Sequence, residues 1–130
     1  MEIGDWKLEI GEILSQLESP ASNFQSLTSN FQLPDCWILS RLNQTIASVT
    51  RLMDNYEFGE AGRQAYEFLW GEYADWYIEM SKIPLNSSDP RAQARTAAVL
   101  VHVLDRTLRL LHPFIPFVTE EIWKNLKKAI

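Results

Sequence analysis

Between Phe58 and Ile83 the chain reads FGEAGRQAYEFLWGEYADWYIEMSKI, and this stretch limits the folds open to it more than any other. At about 100° per residue, Phe58, Ala61, Ala65, Leu69, Trp76, Met80 and Ile83 line up along one side of a helix. Tyr66, Trp70, Tyr73 and Tyr77 make a second apolar strip beside the first. A helix apolar over so much of its circumference cannot lie on a surface with one face in water; it needs neighbours on several sides. The stretch is therefore expected to be the central rod of a helical bundle.

Glu72 falls within the first strip and Asp75 near its edge. A charge is rarely buried without a partner, so Glu72 is expected to be enclosed. There it would accept a hydrogen bond from a Trp or Tyr, or pair with an arginine on another helix. Two carboxylates one turn apart also suggest an acid/base pair of a small hydrolase. No nucleophile or metal-ligand set accompanies them, and such an enzyme would need both lining an open pocket.

A chain of 130 residues, 46% apolar and with fifteen aromatic residues, is expected to form one domain with a substantial core. No apolar run is long enough to span a membrane, and the start, Met-Glu-Ile-Gly-Asp-Trp, has no secretion-signal pattern. The single cysteine, Cys36, excludes an internal disulfide and suits a reducing compartment, so a cytoplasmic protein is expected. One cysteine and two scattered histidines offer no zinc spacing. The formal net charge of −5 weighs against gripping nucleic acid by bulk electrostatics; binding would need a local basic patch.

Ile3, Trp6, Ile10, Ile13, Leu14 and Leu17 predict a helix over about residues 3–18, with an acidic start that suits the helix dipole. Residues 19–34 read as a polar loop containing a duplicated heptad, SNFQSLT followed by SNFQL, over residues 22–33. Residues 1–34 are thus a variable N-terminal helix and loop, and residues 35–130 the bundle. Pro34-Asp35 is a helix start, with Asp35 as cap or first-turn acid. Cys36, Leu39, Leu42, Ile46, Val49 and Met53 mark the inner face of that helix, which ends near Asn55. Arg41, Gln44, Ser48, Arg51 and Asn55 lie within about 80° of one another on another face. The short turn from Asn55 to Gly59 makes this helix and the rod antiparallel neighbours.

Pro84 to Pro90 is a break, and the next helix runs from about Pro90 to His112. Its expected core face is Ala97, Leu100, Leu104, Leu108 and Leu111. Arg91, Arg95, His102, Arg106 and Arg109 form a basic stripe within about 60° on the other side. His112-Pro113-Phe114-Ile115-Pro116 turns the chain into a shorter last helix ending in Lys124, Lys127 and Lys128. No strand pattern occurs. The fold class read from this pattern is all-α, an antiparallel helical bundle of four to five helices.

No glycine-rich phosphate loop, nucleophile elbow or metal spacing is present. His102, among arginines, reads as solvated, and His112, before Pro113, as a helix-end residue. With no active site assembled, recognition remains, and the arginine-bearing faces are the candidate surfaces.

Three segments carry a resemblance: DCWILSRL at residues 35–42, NYEFGEAGRQAYEFLWGEYADWYIE at 55–79, and LHPFIPFVTEEIW at 111–123. Together and in this order they resemble the helical anticodon-binding domain of class I valyl-tRNA synthetases, over residues 35–126. Isoleucyl and leucyl relatives share the architecture but are less similar in the FLWGEYADWYIE segment. Residues 1–34 depart from the family, which enters this bundle by a helix continuing from its catalytic body. Glu79-Met80-Ser81-Lys82 resembles part of the KMSKS loop of the same enzymes, yet it ends a helix and lacks the partner motif, so it reads as coincidence.

The resemblance implies binding of the anticodon stem-loop of a valine-accepting tRNA, beside the catalytic body of a synthetase that attaches valine using ATP bound elsewhere. No cofactor is expected in this chain, and the chain is not expected to be catalytic alone. Loop RNA is read by stacking unpaired bases on aromatic or guanidinium planes and by hydrogen bonds to base edges. The corner between the 35–55 helix and the rod suits this. Phe58 is placed to stack, Asn55 and Glu57 to bond a base edge, and Arg41 and Arg51 to meet phosphate or base. The helix start near Gly59 offers free N–H groups to an anion. Arg91, Arg95, Arg106 and Arg109 form a second basic face. The competing expectation is a free-standing bundle that has lost tRNA affinity and docks on another protein through its first helix or polar loop.

Overall fold

A computed structural model describes residues 32–129. The expected helix over residues 3–18 and nearly all of the duplicated heptad lie outside the described residues. Helix α1 spans Leu33–Asp54 and α2 spans Phe58–Glu67. The chain continues without a break through a π-helical stretch, Phe68–Tyr77, into α3, Ile78–Leu85. Helices α4 (Pro90–Leu111) and α5 (Pro116–Ala129) complete an all-α fold with no strand among the described residues.

The ends of the helices follow from their sequences. Gln32 caps α1 and exchanges hydrogen bonds with Asp35: its N–H donates to Asp35 Oδ2 at 3.2 Å, and its own side chain accepts from the Asp35 backbone. Asp35 is thus the first-turn acid expected of it. At the other end Glu57 N–H donates to Leu52 O at 2.8 Å and Tyr56 N–H to Met53 O at 3.1 Å. This is a Schellman closure, and it needs a residue in the left-handed region; Tyr56 supplies it at φ 62°. Asp89 caps α4 through the Arg91 N–H, and Pro90 takes the first helical position, where no N–H is missed. The Gln93 side chain donates to Leu85 O and Ser87 O and ties down the preceding turn.

The core has two parts. Ile38, Leu42, Phe68, Tyr73, Tyr77, Val99 and Val103 join α1, the π-helical stretch and α4. Val49, Leu52, Ala61, Ala65 and Leu111 join α1, α2 and the end of α4. Beside the second, the Phe114 ring lies where a Cβ on Gly62 would meet it at 3.3 Å, so the glycine admits the aromatic of the turn after α4.

Two expectations are corrected. The element enclosed by the others is α4, which buries ten of its 22 residues and packs against α1, α2, α3 and α5. The Phe58–Ile83 rod lies beside it, with Trp76 63% and Ile83 79% exposed. The wheel fails because the rod is not an α-helix throughout. Its buried positions are Ala61, Ala65, Phe68, Tyr73, Tyr77 and Ser81, mostly four apart. A step of four residues overshoots an α-helical turn by about 40°. Bonding one residue further back widens the turn, and the Ile78 N–H reaching back to Tyr73 O is such a bond. The wider turn keeps Tyr73 and Tyr77 on the core and carries Trp76 outward.

Candidate nucleic-acid interface

Arg51, Asn55, Glu57 and Phe58 are all exposed at the corner where α1 meets α2. Phe58 keeps 50% of its surface in water and meets Tyr56 edge to face, ring centroids 6.0 Å apart. It therefore opens the rod without entering the core, contrary to its place in the first apolar strip. No side chain caps the start of α2, and a Cβ on Gly59 would find nothing within 4 Å. That first turn begins at the surface, with Phe58 and Gly59 exposed, and a helix start favours an anion through its dipole.

Arg41 belongs to a different place, about 15 Å along α1 from Arg51 at 1.5 Å per residue. Its Nε donates to Glu72 Oε1 at 2.7 Å and its Nη1 to Gln44 Oε1 at 2.5 Å. Glu72 thus finds the arginine partner expected of it, but it is not enclosed. Glu72 and Asp75 both line an open groove of about 810 Å³ between α1 and the rod. That corrects the expectation of a closed site. Ser48 Oγ donates to Gln64 Oε1 at 2.6 Å across the same groove. The Arg41–Ser48 part of the polar face of α1 is therefore turned toward the rod, while Arg51 and Asn55 stay in water.

Arg63 borders the groove and pairs with Glu60 and, at 2.5 Å, with Glu67. Its hydrogen bonds, with that of Gln64, hold the Glu60 carboxyl down at about 2. Tyr66 and Trp70, one turn apart, stand 58% and 54% exposed on the groove wall.

The four arginines of α4 do not form one exposed face. Arg91 and Arg109 are exposed, while Arg95 and Arg106 are half-buried. Arg95 turns inward, its Nε 3.6 Å from Asp35 Oδ2, and Arg109 pairs with Asp105 at 3.1 Å. Packing on several sides of α4 narrows the strip of it left to solvent. His102 is half-buried, and His112 Nδ1 lies 2.9 Å from Thr119 Oγ1, bridging α4 to α5. The Glu79–Lys82 motif lies in α3 with Ser81 buried. Cys36 is half-buried, its thiol pushed up by burial and by Asp35.

Sequence reasoning missed Tyr56, Tyr66, Trp70 and the groove itself. Tyr56 left no signal, because Asn55 beside it is the usual left-handed residue. Tyr66, at the end of α2, and Trp70, in the π-helical stretch, belong to an apolar strip whose composition gives no sign of their exposure. Among the described residues no group of three or more His, Cys, Asp or Glu is placed to hold a metal ion, and no helix is long and apolar enough to cross a membrane.

The described residues thus form an all-α bundle with an exposed aromatic corner beside an arginine. The chain belongs to the family described as the anticodon-binding domain of tRNA ligase, which it matches over residues 35–130. It is similar to the valine–tRNA ligase of Staphylococcus carnosus (strain TM300), 60% identical over 100 residues, which make 77% of this chain and 11% of that enzyme. The valine–tRNA ligases of Bacillus anthracis, at 59%, and Staphylococcus aureus (strain JH9), at 58%, match over the same shares. The chain thus spans about a ninth of the length of these relatives, at 11%.

Proposed function

We propose that this chain recognises the anticodon arm of a valine-accepting tRNA as the tRNA-selecting part of a valine–tRNA ligase. The observation that carries the reading is the corner of Arg51, Asn55, Glu57 and Phe58, exposed together on a bundle of this family. Phe58 stacks against an unpaired base, Asn55 and Glu57 meet base edges, and Arg51 and the free N–H groups near Gly59 meet phosphate. Base–aromatic stacking contributes roughly 1–3 kcal/mol, which lets one exposed ring matter despite a net charge of −5. Attachment of valine with ATP takes place in a catalytic body outside this bundle, in the cytoplasm.

Few phosphates are neutralised by so acidic a chain, so binding by this chain alone is weak and its salt dependence is shallow. A gel shift at low salt with valine tRNA and with a second tRNA tests the proposal. Preferential retardation of valine tRNA supports it; equal or absent retardation favours a protein-docking role.

A further inference from the structure

Resting on that reading, we propose that the groove between α1 and the π-helical stretch holds one unstacked nucleobase of the RNA loop, with Trp70 as its stacking plane. Trp70 and Tyr66 are 6.2 Å apart between centroids and tilted by 54°, so neither ring covers the other, and both remain about half in water. Flat aromatic faces on the wall of an open polar groove are the feature by which proteins hold splayed-out bases.

The charges say which part of a nucleotide fits. Arg41 is held by Glu72 and Gln44, and Arg63 by Glu60 and Glu67, so both guanidinium groups are already engaged. Glu67, Glu72 and Asp75 line the groove against these two arginines, which disfavours a phosphate and leaves a neutral base as the occupant. Two polar groups remain for its edge. The Gln44 amide NH2 and the Asp75 carboxylate have no hydrogen-bond partner among the described residues. A carboxylate accepts from an exocyclic amino group and an amide donates to a ring nitrogen or carbonyl. The groove therefore takes a base edge that presents a donor beside an acceptor.

The test uses the whole 130-residue chain and the anticodon stem-loop of valine-accepting tRNA as an RNA hairpin. Parallel hairpins are made abasic at one loop position at a time. Trp70→Ala is expected to weaken binding of the intact hairpin about 5- to 150-fold, with Trp70→Phe retaining most of the affinity. The slope of log Kd against log salt is expected to stay unchanged, because no phosphate contact is lost. One abasic hairpin should bind Trp70→Ala, Asp75→Ala and the parent chain alike. Circular-dichroism melts confirm that the variants fold.

If the parent chain binds the hairpin and Arg51→Ala weakens it while Trp70→Ala does not, the groove assignment is overturned and the corner reading stands. If the parent chain fails to distinguish the hairpin from an RNA duplex of equal length, both are overturned.

Discussion

Tyr77 donates its phenolic proton to Asp35 Oδ1 at 2.6 Å, joining the first turn of α1 to the end of the π-helical stretch across 42 residues of sequence. Both side chains are buried, and burial followed by the Asp35 charge pushes the phenol well above its ordinary range, so it remains a donor. Arg95 from α4 approaches the other carboxylate oxygen. Three elements thus meet on one aspartate.

Tyr77→Phe leaves the ring in place and removes one partner of a buried carboxylate, which is expected to cost about 1–3 kcal/mol. Asp35→Ala should cost more, because it leaves both the phenol and the guanidinium without the charge they face. Urea unfolding followed by circular dichroism measures both; a Tyr77→Phe chain as stable as the parent would remove the aspartate from its structural role.

The Glu60 carboxyl, held near 2 by Arg63 and Gln64, has its folded value below the ordinary 4.5. A group depressed on folding stabilises the fold above its unfolded value, and that contribution is lost as pH falls through the folded one. The clasp on α2 should therefore loosen between about pH 4.5 and about 2. Glu60 lies at the surface, part of its side chain in water, so the effect is on the local helix and is screened by salt. Carboxyl carbon chemical shifts followed by NMR should place its midpoint near 2 in the parent and higher, toward 4.5, in Arg63→Met, where the Gln64 hydrogen bond remains. Equal midpoints would show that the arginine does not hold it.

Tyr56 carries a left-handed backbone that glycine would take without steric cost, at φ 62°. Its ring is 81% exposed, so little packing offsets that strain. Tyr56→Gly is expected to keep or raise the thermal midpoint, by up to about 1 kcal/mol in stability. A clear loss of stability would mean that the ring-to-ring contact with Phe58 holds the turn together.

Much of the fold was legible from local chemistry. Pro34-Asp35, Asp89-Pro90 and the His-Pro-Phe-Ile-Pro turn place the helix ends, because proline and capping residues act within one turn. Which helix lies in the middle was not legible. Ala92, Ala94, Ala97 and Ala98 bury α4 deeply, yet small residues carry little signal beside Trp and Tyr. The interface divides the same way. The corner follows from a short turn and was readable, whereas the groove depends on Arg41 leaning toward Glu72 and on a wider helical turn that no 100° wheel represents.

The central claim is that the α1–α2 corner meets looped RNA. It is tested most directly by titrating valine tRNA at low salt with the parent chain, Phe58→Ala and Arg51→Ala, alongside thermal melts of each. Both variants are expected to bind about 5- to 150-fold more weakly with melting temperatures nearly unchanged, and Arg51→Ala should reduce the salt slope by about one. Parent-like affinity in both variants would contradict the account.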